Sequence, residues 1–242
     1  MIELYSGTPG SGKSLHMAKI IKEHINRGRP CIGNFQINYD SIKPNFFTKK
    51  KGEYVCVDFD ELTPDTLISM SNRIFSKMGR IKEDYILLFI DESQIYFNSR
   101  EWNSKSRKDW LKFFTLHRHY GYHIVLVAQF DRMLDRQIRA LLEYECVHRK
   151  AINFGLTGFF LNLLALGGLH VAVTSHYTTK LKLRSKFFKC KKSLYSLYDT
   201  FALFGDSGEL GVSGPQCEQE SPREVRENTD KRGNLLLDNT NT

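Results

Sequence analysis

Apolar positions along the chain fall into two kinds of pattern, and the two alternate. Residues 1–6 form a short apolar run with the look of a buried strand, and a glycine-rich turn over 7–12 follows. From Ser14 to Arg27 the period changes: Leu15, Ala18, Ile21 and Ile25 make one stripe of a helix, and Gly28 stops it. Cys31–Ile37 and Tyr54–Phe59 read as strands, and Pro64 starts a helix that runs to about Lys77. Tyr85–Ile90 is continuously apolar, the pattern of a central parallel strand buried on both faces. Lys108–His119 reads as a helix, His123–Ala128 as another buried strand, Arg132–Leu142 as a helix and Glu145–Arg149 as a short strand. Strands alternating with helices predict an α/β fold, a mostly parallel sheet with helices on both faces.

Beyond residue 153 the pattern changes twice. Phe154–Thr174 is uncharged and rich in Leu, Phe and Gly, and ends in a strand-like Val171–Thr174. From Gly205 the chain is polar with few aromatics, the composition of a disordered tail. The expected organisation is therefore a core over 1–153, a completing segment over 154–204 and a tail over 205–242.

Length and composition (242 residues, 41% hydrophobic, 26% charged) fit a globular chain that needs no disulfide or metal to build a core. The five cysteines at 31, 56, 146, 190 and 217 show no metal-like spacing and fit reduced thiols. No basic segment and long apolar stretch of a secretory leader precede the first strand. The formal net charge is +8, but the last 37 residues hold eight acidic side chains against four basic, so residues 1–205 carry +12. Lys180, Lys182, Arg184, Lys186, Lys189, Lys191 and Lys192 concentrate that charge within 176–205, where Asp199 is the lone acid. Such a stretch suits a phosphate backbone or an anionic lipid surface, and equally a plain solvated face.

The chemistry enters at the first turn. Gly7-Thr8-Pro9-Gly10-Ser11-Gly12-Lys13-Ser14 matches G-x-x-x-x-G-K-[ST] between a strand and an amphipathic helix, the context the motif requires. Its N–H groups and the helix N-terminus face a phosphate, Lys13 neutralises the β- and γ-phosphates, and Ser14 presents its hydroxyl to Mg²⁺. Asp91 and Glu92, at the end of the apolar run to Ile90, supply a second acidic site. Asp91 is the candidate for holding Mg²⁺, and Glu92 for orienting and deprotonating the attacking water. Gln129 ends the next apolar strand and is the candidate γ-phosphate sensor. Arg118, Arg132, Arg136 and Arg139 flank that strand as candidate arginine fingers, in cis or across a subunit interface, with Arg118 first.

GTPGSGKS at the N-terminus, LLFIDESQ, RHYGYHIVLVAQFDRMLDRQIR and the later KKSLYSLYDT occur in that order. Together they resemble the Zot family, which comprises zonula occludens toxin-like proteins and the assembly ATPases of filamentous phages. The resemblance covers roughly residues 1–200. It implies a P-loop NTPase core of the ASCE/RecA-like kind within the FtsK/HerA class of motor ATPases. It also implies ATP and Mg²⁺ as cofactors and a location at the cytoplasmic face of the host membrane. The role it implies is extrusion of a filamentous virion together with coat protein and a single-stranded DNA–protein complex. The nucleotide roles fall on Gly7–Ser14, Asp91, Glu92 and Gln129. A homo-oligomeric ring is expected, because motors of this superfamily complete their sites with an arginine from a neighbour.

Members of that family usually carry a membrane-spanning helix after the ATPase domain, and no segment after residue 205 has that character. The membrane contact is then sought earlier. Phe154–Thr174 has about the length of a span, although Asn162 and His170 are costly in lipid. A hairpin or helix packed on the sheet, a spanning or re-entrant helix and an oligomer interface all fit it. Region 176–200, where aromatics alternate with lysines, fits a membrane surface or stacked bases. Two further functions stay open: a soluble DNA translocase or packaging ATPase, and a nucleotide-binding scaffold for coat protein with little turnover.

Overall fold

The computed structural model describes residues 1–44, 49–98, 104–153 and 168–189, with the isolated positions 160, 163, 194 and 197. Among these, eight strands make one sheet: β1 (Ile2–Ser6), β2 (Cys31–Gly33), β3 (Tyr54–Cys56), β4 (Ile86–Ile90), β5 (Tyr122–Val127), β6 (Tyr144–Lys150), β7 (Leu169–His176) and β8 (Lys182–Lys189). Their order is β3-β2-β4-β5-β1-β6-β7-β8. The first six in that order run parallel, with Leu88 opposite Ile124 and Leu4 opposite Leu126. β7 and β8 add antiparallel to β6, so the described part of the expected completing segment extends the same sheet. The helices are α1 (Lys13–Asn26), α2 (Pro64–Ser76), α3 (Ser93–Tyr96), α4 (Ser104–Leu116) and α5 (Arg136–Ala140).

The alternation of side chains along a strand divides the core into two layers. Ile86, Leu88 and Ile90 of β4 face one way and join Leu4, Ile124 and Leu126 under α2, α4 and α5, where Leu67, Phe75, Trp110, Phe113, Phe114 and Ile138 pack. Leu87 and Phe89 face the other way and join Tyr5, Val125 and Val127 under Leu15, Met17, Ala18, Ile21 and Ile25 of α1. Both faces of the central strands are covered, and that is why they read as unbroken apolar runs rather than as alternating ones.

Most elements fall where the pattern places them, and the departures have local causes. β2 ends at Gly33 rather than Ile37 because the next residue, Asn34, turns its side chain to the backbone of Asp91. The helix expected over 132–142 begins only at Arg136, where the Asp135 side chain caps it by accepting from the Gln137 N–H at 2.7 Å. α4 starts four residues earlier and ends three earlier than the pattern indicates. Arg107, in its first turns, pairs with Asp135 at 3.0 Å. At its other end the Gly121 N–H reaches the Arg118 carbonyl and the Tyr122 N–H reaches that of His117, which turns the chain back into β5. The idea of a spanning helix across 154–174 is corrected, because 169–174 are strand residues hydrogen-bonded to β6 and β8. What precedes them is shorter than the roughly 20 residues a span needs. Among the described residues no helix is long and apolar enough to cross a membrane. The tail, 205–242, lies outside the described residues, as do Lys191 and Lys192.

Candidate nucleotide site

The sheet order decides which chain segments meet. β4, β5 and β1 are parallel neighbours, so their C-terminal ends emerge side by side. The glycine-rich loop leaves β1, Asp91 and Glu92 leave β4, and Gln129 leaves β5 between them. Loops at the carboxyl ends of parallel strands are where α/β sheets bind ligands.

The loop Gly7–Gly12 turns tightly and delivers the chain into α1 with Gly12 at the helix cap. Gly12 has φ +95°, in the left-handed region, and a Cβ there would sit 2.5 Å from the His170 ring. Gly7 has φ +144°, and its Cβ would lie 2.6 Å from the His148 carbonyl oxygen. Both glycines are therefore required by conformation and by space. The Gly7 N–H donates to the Gln129 carbonyl at 3.1 Å, which ties the loop to the end of β5. Thr8, Pro9 and Gly10 are exposed, Ser11 is buried with its N–H on the Thr8 carbonyl, and Ser14 stands half-buried in the first turn of α1.

Lys13 is half-buried and its ammonium donates to the Gly7 and Thr8 carbonyls. Burial lowers its pKa, and the negative charges of Asp91 and Glu92 oppose that shift. The two carboxylates thus act on the loop lysine across the gap between β1 and β4. Asp91 is buried, and its Oδ1 accepts from the Glu92 N–H at 2.9 Å. Glu92 has φ +48° and ψ +43°, a left-handed conformation that costs a non-glycine L-residue about 1–2 kcal/mol. The turn redirects the chain into α3, and the Gln94 amide donates to the Glu92 carboxylate. Strain held at such a point is typical of functional sites.

Sequence reasoning missed two participants and one neighbour of the loop. Asn34 clamps the Asp91 peptide: its Oδ1 accepts from the Asp91 N–H at 2.7 Å and its Nδ2 donates to the Asp91 carbonyl at 2.9 Å. The signal that could have found it is an Asn directly after a glycine at the end of a short strand. Asn34→Ala is expected to lower stability by about 1–3 kcal/mol, because it leaves the Asp91 N–H without its partner. Denaturant unfolding measures that loss, and an unchanged midpoint and slope would show the clamp to be idle. The second is Gln94. The third is Arg149, an exposed residue of β6. It lines a cavity of about 480 Å³ together with Ser6, Gly7, Thr8, Gln129 and His148.

Arg118 is not brought to this place. It sits in the turn before β5, at the opposite end of that strand from Gln129, and donates to Glu143 Oε1 at 3.0 Å. That position excludes a finger in cis. Arg132 and Arg136, which follow β5 at its Gln129 end, are exposed, and Arg139 is half-buried in α5.

Beneath the loop lies a buried group of aromatic and imidazole rings. His16 stacks on Tyr5 with ring centroids 5.2 Å apart, and on Phe188 at 5.1 Å. Burial holds His16 down to about 3 and His148 down to about 4, so both are neutral at pH 7.

A mostly parallel sheet with a glycine-rich loop, lysine and serine after one strand, and a buried aspartate followed by a half-buried glutamate two strands away, defines a P-loop NTPase fold. The chain belongs to the Zot family: the model of that family, Zonular occludens toxin (Zot), matches residues 1–198. It is 26% identical over 219 residues to the Gene 1 protein of Enterobacteria phage M13, a match that covers 86% of this chain and 61% of that protein. It is 29% identical over 140 residues to the Gene 1 protein of Enterobacteria phage I2-2, covering 54% of this chain and 38% of that protein. The chain thus spans about three fifths of the length of the M13 protein. Among solved structures, the N-terminal domain of zonular occludens toxin from Neisseria meningitidis is 20% identical with a TM-score of 0.49, over 82% of this chain and 98% of that one. The genome packaging NTPase B204 from Sulfolobus turreted icosahedral virus 2, in complex with ATP-gammaS, is 15% identical with a TM-score of 0.46, over 78% and 97%.

Proposed function

We propose that this chain is a motor-type ATPase that couples ATP hydrolysis to assembly and extrusion of a filamentous phage at the cytoplasmic face of the host membrane. The observation that carries the ATPase part is the convergence of Lys13 with Asp91 and Glu92 at the ends of β1 and β4. The donor set fits Mg·ATP. Loop N–H groups and Lys13 hold the β- and γ-phosphates, while the Ser14 hydroxyl and the buried Asp91 carboxylate hold Mg²⁺. The metal, when bound, supplies positive charge against the phosphate oxygens. Glu92, fixed by Gln94, orients a water and accepts its proton. Gln129 reports the state of the γ-phosphate from the strand between.

Membership of the Zot family and the Gene 1 relatives support the phage-assembly role. Coat protein and the single-stranded DNA–protein complex are its expected partners, and a homo-oligomeric ring its working form. In that ring Arg118 serves only across a subunit interface, since its own site lies at the other end of β5.

The membrane surface is the polyanion we assign to β8. Lys182, Arg184, Lys186 and Lys189 are all exposed on this edge strand, with Leu183 and the 57% exposed Phe187 between them. Charges flanking exposed apolar side chains suit a lipid headgroup layer. The purified chain is expected to release phosphate slowly from Mg·ATP and faster with anionic vesicles. Triple reversal, Lys182→Glu with Lys186→Glu and Lys189→Glu, is expected to weaken vesicle binding at least tenfold at low salt and to leave ATP affinity unchanged. Stimulation by single-stranded DNA and none by vesicles would favour the DNA translocase instead. ATP binding with no phosphate release under any condition would favour the scaffold.

A further inference from the structure

The ring cluster under the phosphate loop contains a donor set that the nucleotide chemistry does not use. His16 comes from α1, two residues past Ser14, and Cys146 and His148 come from β6. All three side chains are buried, at 5%, 2% and 1% exposure. His16 Nδ1 lies 2.9 Å from His148 Nε2, and Cys146 Sγ lies 3.8 Å from the same nitrogen. Their ligand atoms all fall within 4.8 Å of one another.

The outer contacts orient these atoms inward. His148 Nδ1 is 3.2 Å from the Ser6 carbonyl, which can only accept. The ring therefore carries its proton on Nδ1 and turns the Nε2 lone pair toward His16 and Cys146. A histidine whose second nitrogen donates to a backbone carbonyl is the usual arrangement behind a metal ligand. Burial pushes the Cys146 thiol up to about 11, and Thr174 Oγ1, which donates to its Sγ at 3.7 Å, works against that shift. Tyr5 and Phe188 wall the cluster with aromatic rings.

The geometry points to a metal site made by His16 Nδ1, His148 Nε2 and Cys146 Sγ, suited to a borderline-soft divalent ion such as Zn²⁺. Two imidazole nitrogens and one sulfur, with no carboxylate among them, disfavour Mg²⁺ and Ca²⁺, which take oxygen ligands. At tetrahedral Zn²⁺ the N···N separation is about 3.3 Å and the N···S separation about 3.6 Å, from bond lengths of about 2.0–2.1 and 2.3 Å. The observed 2.9 and 3.8 Å differ from these by a few tenths of an ångström, within reach of small side-chain rotations. Binding balances simply. The Cys146 thiol releases one proton to solvent, and the proton on His16 Nδ1 that now bonds His148 moves to Nε2. The bound ion would pin α1, the helix that carries Lys13 and Ser14, to β6. This site is independent of the ATPase reading.

The test uses tag-free chain. Purified in the presence of Zn²⁺ and dialysed, it is expected to retain about one Zn²⁺ per chain. With Co²⁺ it should show the near-ultraviolet thiolate-to-cobalt absorption and the intense visible bands of a tetrahedral site. Cys146→Ser should lose the thiolate absorption, and His148→Gln should weaken Co²⁺ affinity at least tenfold. Zn²⁺ should raise the thermal midpoint of the natural chain and not that of Cys146→Ser. Absence of both retained zinc and the cobalt spectrum in the natural chain overturns the proposal without recourse to any variant. A thiolate–cobalt band that survives in Cys146→Ser also overturns it, since the sulfur would then come from another cysteine. Mg·ATP binding, followed in parallel, separates failure of this site from failure of the nucleotide site.

Discussion

Lys13→Ala is expected to lower Mg·ATP affinity by about 10- to 100-fold and phosphate release by about 10²–10³-fold. The substitution removes a charge-assisted donor worth about 1.5–3 kcal/mol when it meets an anion, and a positive charge needed where negative charge develops in the transition state. Its side chain lies in a gap faced by Asp91 and Glu92. Without the ammonium those two carboxylates repel a polyphosphate with nothing to offset them. Fold stability should change little, because the lysine contacts within the chain are two carbonyls of the loop itself. Fluorescent-nucleotide titration and a phosphate-release assay give the two numbers, and thermal unfolding controls for structure. Undiminished binding and turnover would mean that the nucleotide sits elsewhere.

Glu92→Gln is expected to part binding from chemistry. The amide keeps the shape and size of the carboxylate and loses the base, so Mg·ATP should bind with affinity within a few fold while kcat falls by about 10²–10⁴-fold. The backbone argument sharpens the expectation. Glu92 is held in a left-handed turn that any non-glycine residue finds costly, and glutamine pays the same cost. Stability should therefore stay within about 0.5 kcal/mol of the natural chain. Single-turnover kinetics distinguish slow chemistry from slow product release. Loss of ATP binding in this variant would assign Glu92 to the metal or to the turn, and leave the water without a base at this position.

Much of the candidate nucleotide site can be read along the chain because its parts are local. A loop of eight residues between a strand and a helix carries its whole mechanism in its spacing, and an acidic pair after five apolar residues marks a strand end. Asn34, Gln94 and Arg149 carry no such mark. The places of Asn34 and Arg149 depend on which strands are neighbours, and β2 lies beside β4 only because the sheet order is not the chain order, whereas Gln94 meets Glu92 only two residues away. Arg118 shows the converse. Its position in sequence, shortly before the strand that ends in Gln129, looks favourable, yet a strand separates its two ends by its full length and puts the arginine on the far side.

The sequence by itself determined the class of fold and the extent of most elements, and it marked the candidate phosphate loop and its candidate acidic partners. Hydrophobic period and turn chemistry act over a few residues, so they are written where they act. The tertiary structure alone decided that β5 lies between the loop strand and the acidic strand, and that the strand-like Val171–Thr174 pairs antiparallel with β6 in the same sheet. It alone brought His16 within 2.9 Å of His148 across 132 positions of chain. Strand order and the contact of a helix with a distant strand are set by burying two faces of one sheet at once, and no local pattern encodes that choice.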